Sequence, residues 1–215
     1  MTPKRPTGAG AIPKAVDNAA PRSDPSELYA ALDLGTNSCR MLIAHPVGNQ
    51  FRVVDSFSKS VQLGHGLEMS GLLSASSMKR TIQALRICQQ KLQRHKVPNM
   101  RLVATEACRR ASNGAGFIEA VRRETGLQLE IIRPEEEARL AVISCAPLVS
   151  AKTRQLLVVD IGGGSTELVW VDLSDVPRRQ RARAGRALEQ AVEAEQPRQR
   201  HAWLGLGLWL GLGYG

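Results

Sequence analysis

Aromatic side chains are scarce, with three Phe, three Trp and two Tyr in 215 residues. That is too few to build the stacked platforms on which proteins lay unpaired bases, so nucleic acid is not the partner expected. The four cysteines, Cys39, Cys88, Cys108 and Cys145, form no C-x-x-C pair. Neither a zinc ribbon nor a redox motif is written here, and the thiols read as reduced. No run approaches the ~20 apolar residues that span a bilayer. Lys4, Arg5 and Lys14 precede no apolar segment of signal-peptide type. A soluble, cytoplasmic protein without a membrane partner is the expectation.

What is present is a chain with 43% hydrophobic residues and a formal charge of +9. The apolar content suffices for a sizeable core. The charge is uneven, because Arg178, Arg179, Arg181, Arg183, Arg186, Arg198 and Arg200 crowd one stretch that only Glu189, Glu193 and Glu195 offset. Basicity suits polyanions of any kind and does not choose among them.

Five of the eleven prolines fall among small polar residues between Met1 and Glu27, a composition that predicts a disordered leader over 1–27. Order should begin at Leu28-Tyr29-Ala30-Ala31-Leu32, an apolar strand that ends in Asp33-Leu34-Gly35. Two further strands follow, Cys39 to Ala44 and Phe51 to Ser58, joined through His45-Pro46-Val47-Gly48-Asn49. Met78, Ile82, Leu85 and Leu92 share one helical face, with Ser74 or Ser76 as cap and Pro98 as stop. Next come a strand at Arg101 to Thr105, a helix at Phe117 to Thr125 stopped by Gly126, and a strand at Leu129 to Ile132. Pro134 then opens a helix whose first turn holds Glu135, Glu136 and Glu137, where the helix dipole favours acids. Leu156 to Ile161 is apolar enough for a central strand, and Thr166 to Val171 alternates like its hairpin partner. The order βββαβαβα, then ββ, defines an α/β protein. Beyond it lie the arginine-rich stretch and a segment from Ala202 to Gly215 in which Leu and Gly alternate.

One phrase occurs twice. Asp33-Leu34-Gly35-Thr36-Asn37-Ser38 and Asp160-Ile161-Gly162-Gly163-Gly164-Ser165 each follow an apolar strand and precede another, so each is the tip of a β-hairpin. A Walker loop would end in Gly-Lys-Ser/Thr, and a dinucleotide fingerprint would open a helix; neither applies. Glycine permits φ > 0 and close approach, while backbone N–H and Ser or Thr hydroxyls donate to phosphate oxygens. Two such tips facing each other would clamp a phosphate chain. The Asp that opens each phrase is no phosphate donor and suits a divalent cation or its bound water.

Hairpin phosphate loops in duplicated domains resemble the ribonuclease-H-like superfamily of actin, heat-shock chaperone ATPases and sugar kinases. The wording of the two loops, with Thr166-Glu167 after the second, is similar to its exopolyphosphatase / guanosine-pentaphosphate phosphatase branch. Thr105-Glu106-Ala107-Cys108-Arg109-Arg110-Ala111-Ser112-Asn113 is similar to the family's Thr-x-Ala-x-Arg-x-Ala-x-Asn segment, and Glu136-Glu137-Ala138-Arg139-Leu140 to its Glu-Glu-Ala-Arg-Leu. The match runs from Tyr29 to Asp175. It implies an actin-type ATPase fold, a magnesium cofactor, and inorganic polyphosphate or guanosine pentaphosphate as substrate. A homodimer is compatible with it.

The resemblance also implies roles. Glu137 would be the base that activates the attacking water. Asp160 and Glu167 would hold magnesium, with Asp33 as a second-rank ligand. Gly35, Thr36, Asn37, Ser38, Gly162, Gly163, Gly164, Ser165 and Thr166 would cradle phosphate, and Arg109 would add a planar fork, with Arg40 a weaker candidate. The histidines take no role. Domain boundaries are expected at 28–145 for the first domain and 146–175 for the start of a second, with a basic and Leu/Gly-rich tail over 176–215. The family's second domain runs far beyond what Leu156 to Asp175 provides, so truncation, a shifted reading frame or a short form is expected. Three rivals remain open: a fragment that binds polyphosphate or guanosine polyphosphates without hydrolysing them, a kinase or chaperone ATPase of the same superfamily, and an RNA-associated protein using the arginine-rich tail.

Overall fold

The apolar run at Tyr29 to Leu34 forms strand β1 (Tyr29–Leu34), and its period-two pattern decides which way each side chain points. Ala30, Leu32 and Leu34 enter the main core, whereas Ala31 packs on the opposite face of the sheet. Asp33 shares the parity of Ala31 and stands on that second face. Strand β2 (Ser38–Val47) runs back antiparallel, putting Cys39, Met41 and Ile43 into the main core and Arg40 directly across from Asp33. Strand β3 (Gln50–Ser60) completes the meander, with an irregularity in register beside Ile43 and Ala44.

A computed structural model describes residues 27–47 and 50–176. The expected leader, the Gly48–Asn49 turn and the tail lie outside the described residues, apart from the leader's last residue, Glu27, and the tail's first, Val176. Helix α1 (Leu67–Ser70) is a single turn between two left-handed glycines, Gly66 at φ 78° and Gly71 at φ 68°. Helix α2 (Ala75–His95) begins where expected, because the Ser74 hydroxyl accepts from the Ser77 backbone N–H at 3.2 Å. It ends earlier than Pro98 requires. Lys96 turns left-handed at φ 51°, and its N–H caps the carbonyls of Leu92 and Gln93.

Strand β4 (Asn99–Ala104) lies parallel to β1, followed by helix α3 (Glu106–Arg110), helix α4 (Gly114–Thr125) and the short strand β5 (Glu130–Ile131), parallel to β4. The sheet order is β3-β2-β1-β4-β5. α4 starts ahead of Phe117, at Gly114, which passes against the Cys108 carbonyl where any Cβ would collide. Asn113 braces this corner: its amide accepts from the Leu73 N–H at 2.9 Å and donates to the Leu73 carbonyl at 3.0 Å. α2 and α4 cover one face of the sheet, burying Ile82, Leu85, Cys88, Phe117 and Val121. This is the α/β, ribonuclease-H-like arrangement.

Helix α5 (Pro134–Ser144) leads through a 3-10 turn (Ala146–Leu148) to strands β6 (Gln155–Ile161) and β7 (Thr166–Asp172), an antiparallel two-stranded sheet. Val142, Ala146 and Val149 form a separate core with Val158, Val171 and Leu173. The other face of the hairpin is open: Leu157, Val159, Ile161, Leu168 and Trp170 are between 50% and 77% exposed. β6 was expected to be a central strand. Among the described residues it pairs on one side only, so its continuous apolar run serves one buried and one uncovered face. No helix of the described residues is long and apolar enough to cross a membrane.

Candidate active site

Parallel strands β1, β4 and β5 end at the same edge of the sheet, so the segments that follow them are gathered there, at the carboxyl edge where α/β sheets bind ligands. The Thr105 N–H donates to the Leu34 carbonyl at 3.1 Å and the Ile132 N–H to the Ala104 carbonyl at 3.1 Å. The first hairpin tip, α3 and the start of α5 thereby become neighbours. The carbonyls of the first tip are tied down, Asn37 accepting from Val61 and Gln62 and Thr36 from Gly64. Arg80 on α2 fastens that anchoring segment, donating to the Val61 carbonyl at 2.6 Å.

The repeated phrase is also a repeated structure. Gly35 N–H donates to the Ser38 carbonyl at 2.9 Å, and Gly162 N–H to the Ser165 carbonyl at 2.9 Å. The tips abut. A Cβ built on Gly163 would lie 2.7 Å from Asn37 Nδ2, and one on Gly164 would lie 2.6 Å from Thr36 Oγ1. The loop glycines were expected to supply left-handed backbone, but Gly66, Gly71 and Gly126 are the described glycines with positive φ. In the second tip glycine is needed for room instead, since the opposing loop leaves no space for a side chain.

Four carboxylates converge beside the tips. Burial pushes the Asp33 carboxyl up to about 7, helped by the charges of Glu137 and Asp160 and opposed by Arg40. Asp160 is raised by burial and by the charge of Glu167. Glu137 is raised by burial foremost and by Glu167, against the downward pull of Arg109 and Thr105. The parity of the hairpin explains the grouping: the side that buries Val158 and Val171 against α5 carries Asp160 and Glu167 at its loop end.

The three acids opening α5 are not equivalent. Glu136 is bound by Arg139 at 2.7 Å and Arg101 at 2.8 Å, and these two arginines outweigh its burial and hold its carboxyl low. Glu135 is exposed. Glu137 faces the tips and accepts from Arg109 Nη1 at 3.0 Å. Arg109, expected to meet phosphate, has partners within the protein at both Nη atoms: Nη1 also donates to the Ile132 carbonyl at 2.8 Å and Nη2 to Glu106 at 2.6 Å. Glu106 was given no role from sequence. Its i,i+3 spacing to Arg109 was the available signal, but it became visible only once α3 was known to be helical.

Whether magnesium suits these residues is decided by the second hairpin. Asp160 and Glu167 are direct cross-strand partners, and like charges so placed repel. Among the described residues neither has an ion-pair partner. No group of three or more His, Cys, Asp or Glu among the described residues could hold a metal unaided. Magnesium takes one or two carboxylates and completes its shell with water and phosphate oxygens, so the pair fits.

Fold and site together define a ribonuclease-H-like α/β protein with two opposed hairpin loops and a carboxylate cluster at the carboxyl edge of its sheet. Residues 42–185 match the model of the Ppx/GppA phosphatase family, and the chain belongs to that family. The Aquifex aeolicus Ppx/GppA family member is similar at 36% identity and a TM-score of 0.60, covering 69% of this chain and 48% of its own. An exopolyphosphatase-like protein matches at 31% identity and a TM-score of 0.64, covering 72% of this chain and 48% of its own. An exopolyphosphatase from Cytophaga hutchinsonii matches at 26% identity and a TM-score of 0.64, covering 69% of this chain and 47% of its own. The chain thus spans about half the length of these solved structures.

Proposed function

We infer that this chain carries the phosphate-binding and water-activating part of a phosphohydrolase that releases terminal phosphate from inorganic polyphosphate or guanosine pentaphosphate. The observation that supports this best is the setting of Glu137, a partly buried carboxylate with a raised pKa, beside two abutting hairpin tips. Its neighbours Glu135 and Glu136 are exposed and arginine-neutralised, respectively.

In this reading the hydroxyls and N–H groups of Thr36, Asn37, Ser38, Ser165 and Thr166 orient the phosphate chain, and Gly162, Gly163 and Gly164 add backbone N–H donors while letting the two tips close on each other. Arg40, across from Asp33, adds positive charge beside the first loop. Glu137 takes a proton from a water whose oxygen attacks the terminal phosphorus, while the bridging P–O bond breaks and its electrons stay with the departing chain. A higher pKa makes Glu137 a better proton acceptor than an exposed glutamate. Asp160 and Glu167 would hold magnesium, with Asp33 beside them; bound there, the ion supplies neutralisation of the phosphate oxygens.

The experiment is phosphate release by the purified chain from polyphosphate and from guanosine pentaphosphate, with and without magnesium, beside calorimetric binding of both. Release that requires magnesium supports the reading. Binding without release would make the chain a binding module, and neither would overturn it.

A further inference from the structure

Arg109 binds Glu137, and both of its Nη atoms already have partners. Nη1 lies between the Ile132 carbonyl and Glu137, and Nη2 lies 2.6 Å from Glu106 Oε2. The Glu106 and Glu137 side chains are only 17% and 19% exposed, so solvent screens neither ion pair fully. Burial works against the charge on Arg109, but its two carboxylate bonds outweigh it and hold the guanidinium protonated. With Nη1 divided between Ile132 and Glu137 and Nη2 held by Glu106, the Nη1–Nη2 edge of the guanidinium is not free to seat a phosphate through a parallel pair of N–H bonds.

Glu106 stands where both loops meet. Its Cγ is 3.3 Å from the point a Cβ on Gly164 would reach, the same point that lies 2.6 Å from Thr36 Oγ1. Arg110, the other base near Glu106, is more distant at 3.6 Å and more exposed. The site therefore contains an anion of its own, tethered three residues from the arginine it holds.

We propose that Glu106 is a positioning residue whose carboxylate takes the edge of Arg109 that a phosphate would use, holding the guanidinium on Glu137 until a phosphate chain displaces it. This rests on the reading that the cleft binds phosphate chains. Displacement is favourable for a polyanion, because a chain carrying several charges and seated by two loops competes with one tethered carboxylate. A single phosphate is a weaker competitor. Glu106 thereby discriminates in favour of longer chains, and its removal strengthens binding while damage to the fold would weaken it.

The test is calorimetric titration of tripolyphosphate and of inorganic phosphate into the full chain and its E106Q, R109Q and E106Q/R109Q variants at fixed magnesium. E106Q should bind tripolyphosphate roughly fivefold tighter, a charged hydrogen bond discounted for partial exposure. Inorganic phosphate should gain at least as much, narrowing the preference for the longer chain. In the R109Q background the substitution should bring no gain, which separates action through Arg109 from a general loss of negative charge. Wild-type binding with unchanged or weaker binding by E106Q overturns the role of Glu106 and leaves the phosphate reading intact. A gain that persists without Arg109 also overturns it, and no binding by any variant overturns both. Should E106Q fail to fold, the guanidinium resonances of Arg109 in the wild-type chain decide: tripolyphosphate must shift them, and unshifted signals at saturation overturn the proposal.

Discussion

Asp160 faces Glu167 directly across the β6–β7 ladder, two acids at the position where the first hairpin pairs Asp33 with Arg40. The two tips share a turn and a phrase but not a charge balance. The first copy sets a cation across from its aspartate, and that charge opposes the rise in its pKa, while the second leaves two carboxylates opposed with no ion-pair partner among the described residues. Under the proposed function, that asymmetry favours the second tip for a cation and the first for the phosphate chain.

Glu137→Gln keeps the shape of the side chain and its acceptor oxygen while removing the base. If the chain hydrolyses polyphosphate, the substitution should lower turnover by ~10²-fold or more with binding little changed. Glu135→Gln should do little. Glu136→Gln should act on stability instead, since Arg101 and Arg139 each lose a close charged partner and Arg101 keeps only Glu130 at 3.6 Å among its carboxylates. Phosphate-release kinetics and thermal melts of the three variants check this, and equal kinetic losses at Glu135 and Glu137 would defeat the assignment.

Close contact between the tips predicts opposite outcomes at two glycines. Gly163→Val must move Asn37, whose Cβ lies only 3.1 Å from the new atom, and should weaken tripolyphosphate binding by separating the loops. Gly116→Ala, on the exposed side of α4 with nothing within 4 Å of the added Cβ, should stabilise by about 0.5–1 kcal/mol through helix propensity. Calorimetric binding and melting temperatures report the two effects, and a Gly163→Val variant that binds as the wild type does would show that the tips do not meet.

Asp33 makes stability depend on pH in a direction opposite to the usual paired carboxylate. Its folded pKa, about 7, lies above the ordinary 3.8, so the folded state holds the proton more tightly than the unfolded state. Its contribution is therefore fully present below about pH 4 and is lost as pH rises to about 7. In chelator, Asp33→Asn should remove this loss, giving a melting temperature that falls less between pH 5 and 8 than that of the wild type. Parallel curves for the two proteins would show that the Asp33 carboxyl is not enclosed. Asp55 works in the other direction: Lys91 and His95 outweigh its burial and lower its pKa, so its contribution weakens as pH falls into the carboxylate range.

Neighbouring positions on β6 should respond differently to the same change. Val158 is 7% exposed and packs against Val142 and Val171, so Val158→Asp buries a charge and should unseat the hairpin from α5. Val159 is 50% exposed on the uncovered face, and Val159→Asp should be tolerated while lowering the tendency to associate. Denaturation curves and light scattering measure both, and equal destabilisation would mean the second face is covered.

Much of this architecture is written locally. The strands flanking Asp33 and Asp160 follow from period-two apolar runs, both tips from turn residues, α2 from its Ser74 cap and apolar stripe, and the acid-rich start of α5 from Pro134. Helices α1 and α3 are not legible in the sequence, because four and five residues are too few to display a period. The end of α2 was misplaced because left-handed Lys96, not Pro98, stops it.

From the sequence alone come the duplicated loop, the order of elements and the residue types at the candidate site, because periodicity and turn chemistry act between near neighbours along the chain. The resemblance singles out Glu137 among the three acids, but tertiary structure alone decides that it shares Arg109 with Glu106 and that Gly163 is small because Asn37 is there. Those facts depend on which distant segments the parallel strands β1, β4 and β5 bring to one edge, and an amphipathic pattern records that a side chain is buried without recording what it meets.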